Sequence, residues 1–154
     1  MKPLETTIEA VLREAIESEV ETRAYYQKMA ARAGSPEVRK RMLELADGEV
    51  MHQARLERKY RDMLGVAPPE LTPFAPFELP WDLTNLDMSR ALRHALERER
   101  ESESSYRFLA ERVPNTELGR LFMELAEIEW KHKTDLQAEY DSTVLDPEQF
   151  LLDI

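Results

Sequence analysis

A glutamate and a histidine three residues apart on a helix share a face and can grip one cation together. The chain carries that pair twice: Glu49 and His52 stand in EVMH, and Glu129 and His132 stand in EWKH, 80 residues further on. Only three histidines occur in the chain, so two of them are committed to this arrangement. Neutral imidazole suits iron, zinc or copper and carboxylate oxygen suits hard ions, so the mixed donor set favours iron or manganese.

Those pairs belong to a longer repeat. AIESEVETRAYYQKMA at 15–30 aligns with ALERERESESSYRFLA at 95–110, and MLELADGEVMHQARLERKY at 42–60 aligns with FMELAEIEWKHKTDLQAEY at 122–140, both at one offset of 80 without a gap. Glu19 thereby matches Glu99, and Tyr26 matches Tyr106. A repeat of this length in a helical chain is a doubled helical hairpin, because a solenoid needs more units.

The elements that must position these groups are four helices. The first runs from about Leu4 to Ala33 and stops at AGSP. Ser35 then serves as N-cap with Pro36 at the first position of a second helix, which ends near Leu64 with Gly65 as C-cap. Asp87 or Thr84 caps a third helix over about 88–113, and Asn115 or Thr116 caps a fourth that runs to about Asp141. Residues 65–87 form a proline-rich crossover whose Phe74, Phe77, Leu79 and Trp81 are too apolar for a solvated linker. Residues 142–154 form a tail in which Phe150, Leu151 and Leu152 dock. The whole chain reads as one all-α domain, with hairpins over about 4–64 and 88–141.

Helical spacing places the acidic groups inward. Leu45, Glu49, His52 and Leu56 form one stripe, as do Leu125, Glu129, His132 and Leu136; Leu12, Glu19 and Tyr26 share a face, as do Leu92, Glu99 and Tyr106. Burying an unpaired carboxylate costs several kcal/mol, and four together cost more through repulsion, so bound cations are the natural compensation. The turns supply an independent check. The midpoint of Glu19 and Glu49 is Gly34, and that of Glu99 and Glu129 is Pro114, each at an expected break. Each lone glutamate should therefore face its own Glu-x-x-His pair. The crossover can stretch to roughly 70 Å, whereas a helix of about 26 residues is only some 40 Å long. It can climb the bundle and bring the second hairpin back antiparallel to the first, with a pseudo-twofold axis drawing all six groups together.

This pattern resembles the ferritin-like di-iron carboxylate proteins, in particular their rubrerythrin-like branch, from about Ile8 to Tyr140. The resemblance implies a four-helix bundle holding two iron ions, with manganese or a mixed pair as the variant. It implies Glu19 and His52 as terminal ligands of one ion, Glu99 and His132 of the other, and Glu49 and Glu129 as bridges. Tyr26 and Tyr106 stand where similar proteins place tyrosines beside the ligands. The implied activity is reduction of peroxide or dioxygen. The chain lacks the cysteines of a rubredoxin module, so a separate electron donor is required. Ser102 stands where rubrerythrins have a further carboxylate, so the iron movement associated with that residue is not implied here.

Two other readings stay open. One is a ferroxidase or iron-binding protein for storage or detoxification; the other is a helical interaction module with a redox-inert metal or none. A net charge of −10 disfavours nucleic acid and anionic membranes as partners. The lack of cysteine excludes disulfides and thiol chemistry, and with the lack of a membrane-spanning run it points to a cytoplasmic protein. Apolar crossover and tail residues suggest a homodimer, and the crossover is long enough for hairpins to swap between chains. Trp130 is expected to pack on the crossover or a second subunit, His94 to lie at the surface, and Glu17, Glu21, Glu97, Glu101 and Glu103 to face solvent. Gly48 is expected to allow a close approach beside the site.

Overall fold

In a computed structural model, which describes residues 3–73 and 84–144, four helices follow one another: α1 (Pro3–Ala31), α2 (Pro36–Leu64), α3 (Met88–Arg112) and α4 (Glu117–Val144). Their boundaries follow from local chemistry. The Ser35 hydroxyl accepts from the Val38 amide with Pro36 at the first helical position, and Gly65 ends α2 in the left-handed region at φ 71°. Asp87 caps α3 through the Arg90 amide. Thr116 caps α4, its hydroxyl accepting from the Gly119 amide at 3.0 Å. No described helix is long and apolar enough to cross a membrane.

Each hairpin packs on itself, and the two hairpins then cross-pair. Tyr26 reaches Glu99, and Tyr106 reaches Glu19, so α1 runs antiparallel to α3. Arg41 pairs with Glu139, Arg55 with Glu124 and Lys59 with Glu117, so α2 runs antiparallel to α4. This is the all-α four-helix bundle expected of two repeated hairpins. The crossover ends where that topology requires. Gly34, in the α1–α2 turn, donates its amide to Leu86 at 2.8 Å, and Leu86 donates back to Arg32 at 2.9 Å. The chain therefore leaves α2 at one end of the bundle and starts α3 beside the opposite end. A Cβ on Gly34 would stand 3.0 Å from the Asn85 carbonyl, which explains glycine at this contact. The expected packing of Phe74, Phe77, Leu79 and Trp81 falls outside the described residues, as does that of Phe150, Leu151 and Leu152.

The apolar interior is split in two. One cluster gathers Leu12, Ile16, Leu56, Leu109, Phe122 and Leu125. The other gathers Met29, Met42, Leu86, Leu92, Leu96 and Leu136. The inward glutamates of all four helices lie in sequence between the contributions to these two clusters. Three surface expectations need correction. Glu103 is not solvated: it is only 13% exposed, at the α3–α4 seam, and accepts from Lys133 and Arg107. Glu21 and His94 are likewise partly buried. Trp130 remains half exposed among the described residues.

The glycines sort by what surrounds them. A Cβ at Gly48 would meet no atom within 4 Å, so the close approach expected there is not the reason for glycine. At Gly119 it would lie 2.4 Å from the Val113 carbonyl oxygen. Gly119→Ala should therefore destabilise by about 1–3 kcal/mol, while Gly48→Ala should stabilise by up to about 1 kcal/mol. Denaturant titration of the metal-free protein checks both signs.

Candidate metal centre

The six singled-out side chains come together in two overlapping groups. Ligand-type atoms of Glu19, Glu49, His52 and Glu129 lie within 4.8 Å of one another, as do those of Glu99, Glu129 and His132. Each lone glutamate meets the Glu-x-x-His pair across its own turn, as the midpoints require. Glu129 belongs to both groups. Glu49, which the resemblance makes a second bridge, groups only with the first set.

All four glutamates are essentially buried. His52 Nδ1 stands 3.0 Å from Glu129, 3.3 Å from Glu49 and 3.6 Å from Glu19. Despite that proximity its hydrogen-bonding alignment is not met. Nδ1 of His52, both oxygens of Glu129, and Oε2 of Glu19, Glu49 and Glu99 are buried without a hydrogen-bond partner. Native interiors almost never leave such groups unsatisfied. Here they cluster, and all but one are acceptors when the carboxylates are ionised. Arg23 Nε, on α1 one turn beyond Glu19, is likewise buried without a partner. The five carboxylate oxygens outnumber such nitrogens, and a set of inward lone pairs of this kind fits a bound cation.

The tyrosines explain why only one oxygen of each outer glutamate is orphaned. Tyr26 donates to Glu99 Oε1 at 2.9 Å, and Tyr106 donates to Glu19 Oε1. Each phenol thus serves a glutamate of the other hairpin and fixes its orientation, leaving Oε2 free. Sequence spacing places each tyrosine near the glutamate of its own helix; the exchange follows from the antiparallel α1–α3 pairing. Burial, and then the adjacent carboxylates, push both phenols well above their usual range, so they remain neutral donors.

Without a cation, protons must do the compensating. Burial pushes the Glu49 carboxyl well above the usual carboxylate range, and neighbouring Glu19 adds to it. Burial does the same to Glu99, beside Glu129. Burial would also raise Glu129, but contacts with Glu99, His132 and His52 hold it below that range. Burial opposes charge on His52, yet Glu129, Glu19 and Glu49 together push it up to about 12. The metal-free layer is a proton-shared cluster centred on an ionised Glu129.

The halves differ in access. The His52 side chain is 7% exposed and that of His132 is 38% exposed. An interior position expected for both histidines holds only for the first. The reason lies in the α2–α4 seam, which is open on the His132 side, where a cleft of about 180 Å³ reaches Glu49 and Glu99.

Comparison with known proteins places this geometry. No curated protein matches the chain. Among solved structures, a hypothetical protein from Pyrococcus furiosus is similar, with 26% identity and a TM-score of 0.60 over 91% of this chain and 92% of the other. The sequence model of the Rubrerythrin family matches residues 10–140, which contain all six clustered side chains and both tyrosines. The chain belongs to the rubrerythrin family.

Proposed function

We propose that the buried cluster binds two iron ions and that the protein reduces peroxide or dioxygen with them. The observation that supports this reading most is the set of buried, partnerless donor atoms arranged as two groups around Glu129. In this reading Glu19, Glu49 and His52 hold one ion, Glu99 and His132 hold the other, and Glu129 serves both. Manganese, or one ion of each kind, suits the same donors. Two ferrous ions so placed would supply two electrons together to an oxidant, avoiding one-electron radicals.

The chain's own residues set the conditions for that chemistry. Tyr26 and Tyr106 hold the outer carboxylates in place through their other oxygens. The apolar clusters on either side keep the layer dry, which strengthens every charge interaction within it. These 154 residues contain no cysteine with which to hold a rubredoxin-type iron, so in this reading electrons reach the centre from outside the bundle. Ser102 is buried on α3 and carries no charge, so this chain offers no mobile carboxylate at that position.

Anaerobic ferrous titration of metal-free protein should saturate at two ions per chain, and peroxide should then oxidise both. Glu129→Gln should weaken both positions, by more than about 100-fold, since even groups behind a ligand are worth 10–100-fold. His132→Ala should weaken one position and spare the other. Failure of the parent protein to take up ferrous or manganous ions would remove the reading; uptake of many ions per assembly would favour storage.

The protonation pattern gives a second test. Glu49, Glu99 and His52 hold their protons more tightly in the folded chain than in the unfolded one. Their contribution to stability is complete below the unfolded values, about 4.3 for a carboxyl and about 6.5 for imidazole. It is lost as pH rises toward the folded values. Glu129 acts in the opposite sense, and its contribution is lost as pH falls below the ordinary carboxylate range. The metal-free protein should therefore be most stable at mildly acidic pH, and its thermal midpoint should fall between about pH 5 and 9. Metal must displace these protons, so its stabilisation should grow over the same interval. Thermal scans with and without manganous ion check the slope; a metal-free midpoint that rises with pH would contradict it.

A further inference from the structure

The repeat relates the two halves of the α2–α4 seam, and it breaks at several positions, two of them beside the buried cluster. Gly48 on the His132 side corresponds to Ile128 on the His52 side, and Asp135 corresponds to Arg55. On the His52 side, Ile128 packs onto the apolar cluster, and Arg55 pairs with Glu124 at 3.1 Å. Lys59 pairs with Glu117 one turn further out. That half has a surface pocket of about 330 Å³, where Arg58, Asp62 and Arg120 join these pairs, but the pocket reaches none of the buried glutamates or histidines.

The His132 half, by contrast, opens onto the buried cluster. Gly48 leaves open space where Ile128 plugs the other side. The resulting cleft of about 180 Å³ is lined by Glu44, Gly48, His132 and Asp135 and runs inward to Glu49 and Glu99. Both of those glutamates are almost fully buried, and each has an oxygen without a partner. Around the rim stand three carboxylates, Glu44, Asp135 and Glu139, against one guanidinium, Arg41. Arg41 is itself tied to Glu139 at 2.5 Å and to Glu44 at 3.3 Å, which turns its charge toward the rim.

We propose that divalent cations reach the buried centre through this one-sided mouth, captured first by Asp135 and Glu44 and passed over Gly48 to His132 and Glu99. The inference rests on the metal-binding reading above and adds a direction to it: the His132 half loads from solvent, and the His52 half is filled through it. A neutral oxidant would gain nothing from the rim charges, whereas a cation is concentrated by them.

The probe is cobaltous ion, followed by its visible absorption in stopped flow with metal-free protein at low ionic strength. In Asp135→Asn/Glu44→Gln, the initial uptake rate should fall about tenfold, within the range that charge steering provides, while final cobalt per chain stays the same. Gly48→Leu should slow uptake at least as much without lowering the thermal midpoint, since the new side chain projects into the cleft. Glu124→Gln, on the His52 side, where the surface pocket does not reach the cluster, should leave the rate unchanged. Parent-like rates in both the rim variant and Gly48→Leu, at full final occupancy, would overturn the route and leave the metal centre standing. A parent protein that takes up no cobalt would overturn the metal centre, and the route with it.

Discussion

Four carboxylates buried in one layer are the constraint on which the rest of this structure depends. Their combined desolvation and repulsion would exceed the whole stability of a typical domain if all were ionised and unpaired. The fold meets the cost in stages. Tyr26 and Tyr106 each satisfy one oxygen. Raised proton affinities at Glu49, Glu99 and His52 remove or balance charge when no metal is bound. The remaining lone pairs lie close to one another, a set suited to the cations of the proposed reading. A bundle designed only for stability would fill this layer with leucine, as it does on either side. The acidic layer is therefore a functional expense, and the two apolar clusters that flank it supply the stability to carry it.

Much of this was legible in the sequence because a repeat of one whole hairpin, at an offset of 80 residues, doubles every signal. One Glu-x-x-His in a glutamate-rich helix means little, but two at a fixed offset, each with a glutamate equidistant from its turn, restrict the geometry to a facing arrangement. Helix ends were equally plain at Ser35 and Gly65, where capping chemistry is local. Asp87 and Thr84 both qualified before α3, and the folded turn assigns the cap to Asp87. What the repeat hid was its own breakage. Alignment rewards matching residues, so Gly48 against Ile128 and Asp135 against Arg55 read as ordinary divergence. Only the folded α2–α4 seam shows that these differences lie on the same short stretch of surface beside His132. Likewise, the tyrosines' partners depend on which helices cross-pair, a relation between hairpins that spacing within a helix does not contain. Glu103 was misplaced for a similar reason: its burial comes from Lys133 of the neighbouring helix.

The bundle's approximate symmetry and its local asymmetry serve different ends. Symmetry gives two like-built groups of carboxylate and imidazole around Glu129, the arrangement on which the proposed two-metal reading rests. Asymmetry gives them different exposure. The His52 side chain is almost fully enclosed, whereas the His132 half opens to a negatively charged rim. In the proposed reading, one cation position is protected and the other is open to exchange. Membership of the rubrerythrin family accounts for the shared frame; the one-sided seam is written in this chain's own departures from its internal repeat.

Anomalous scattering at the iron and manganese edges, from crystals of protein expressed with those metals, tests the central claim most directly. The account predicts two peaks inside the bundle flanking Glu129, one against Glu19, Glu49 and His52 and the other against Glu99 and His132. An empty interior, or peaks confined to surface carboxylates, would contradict it.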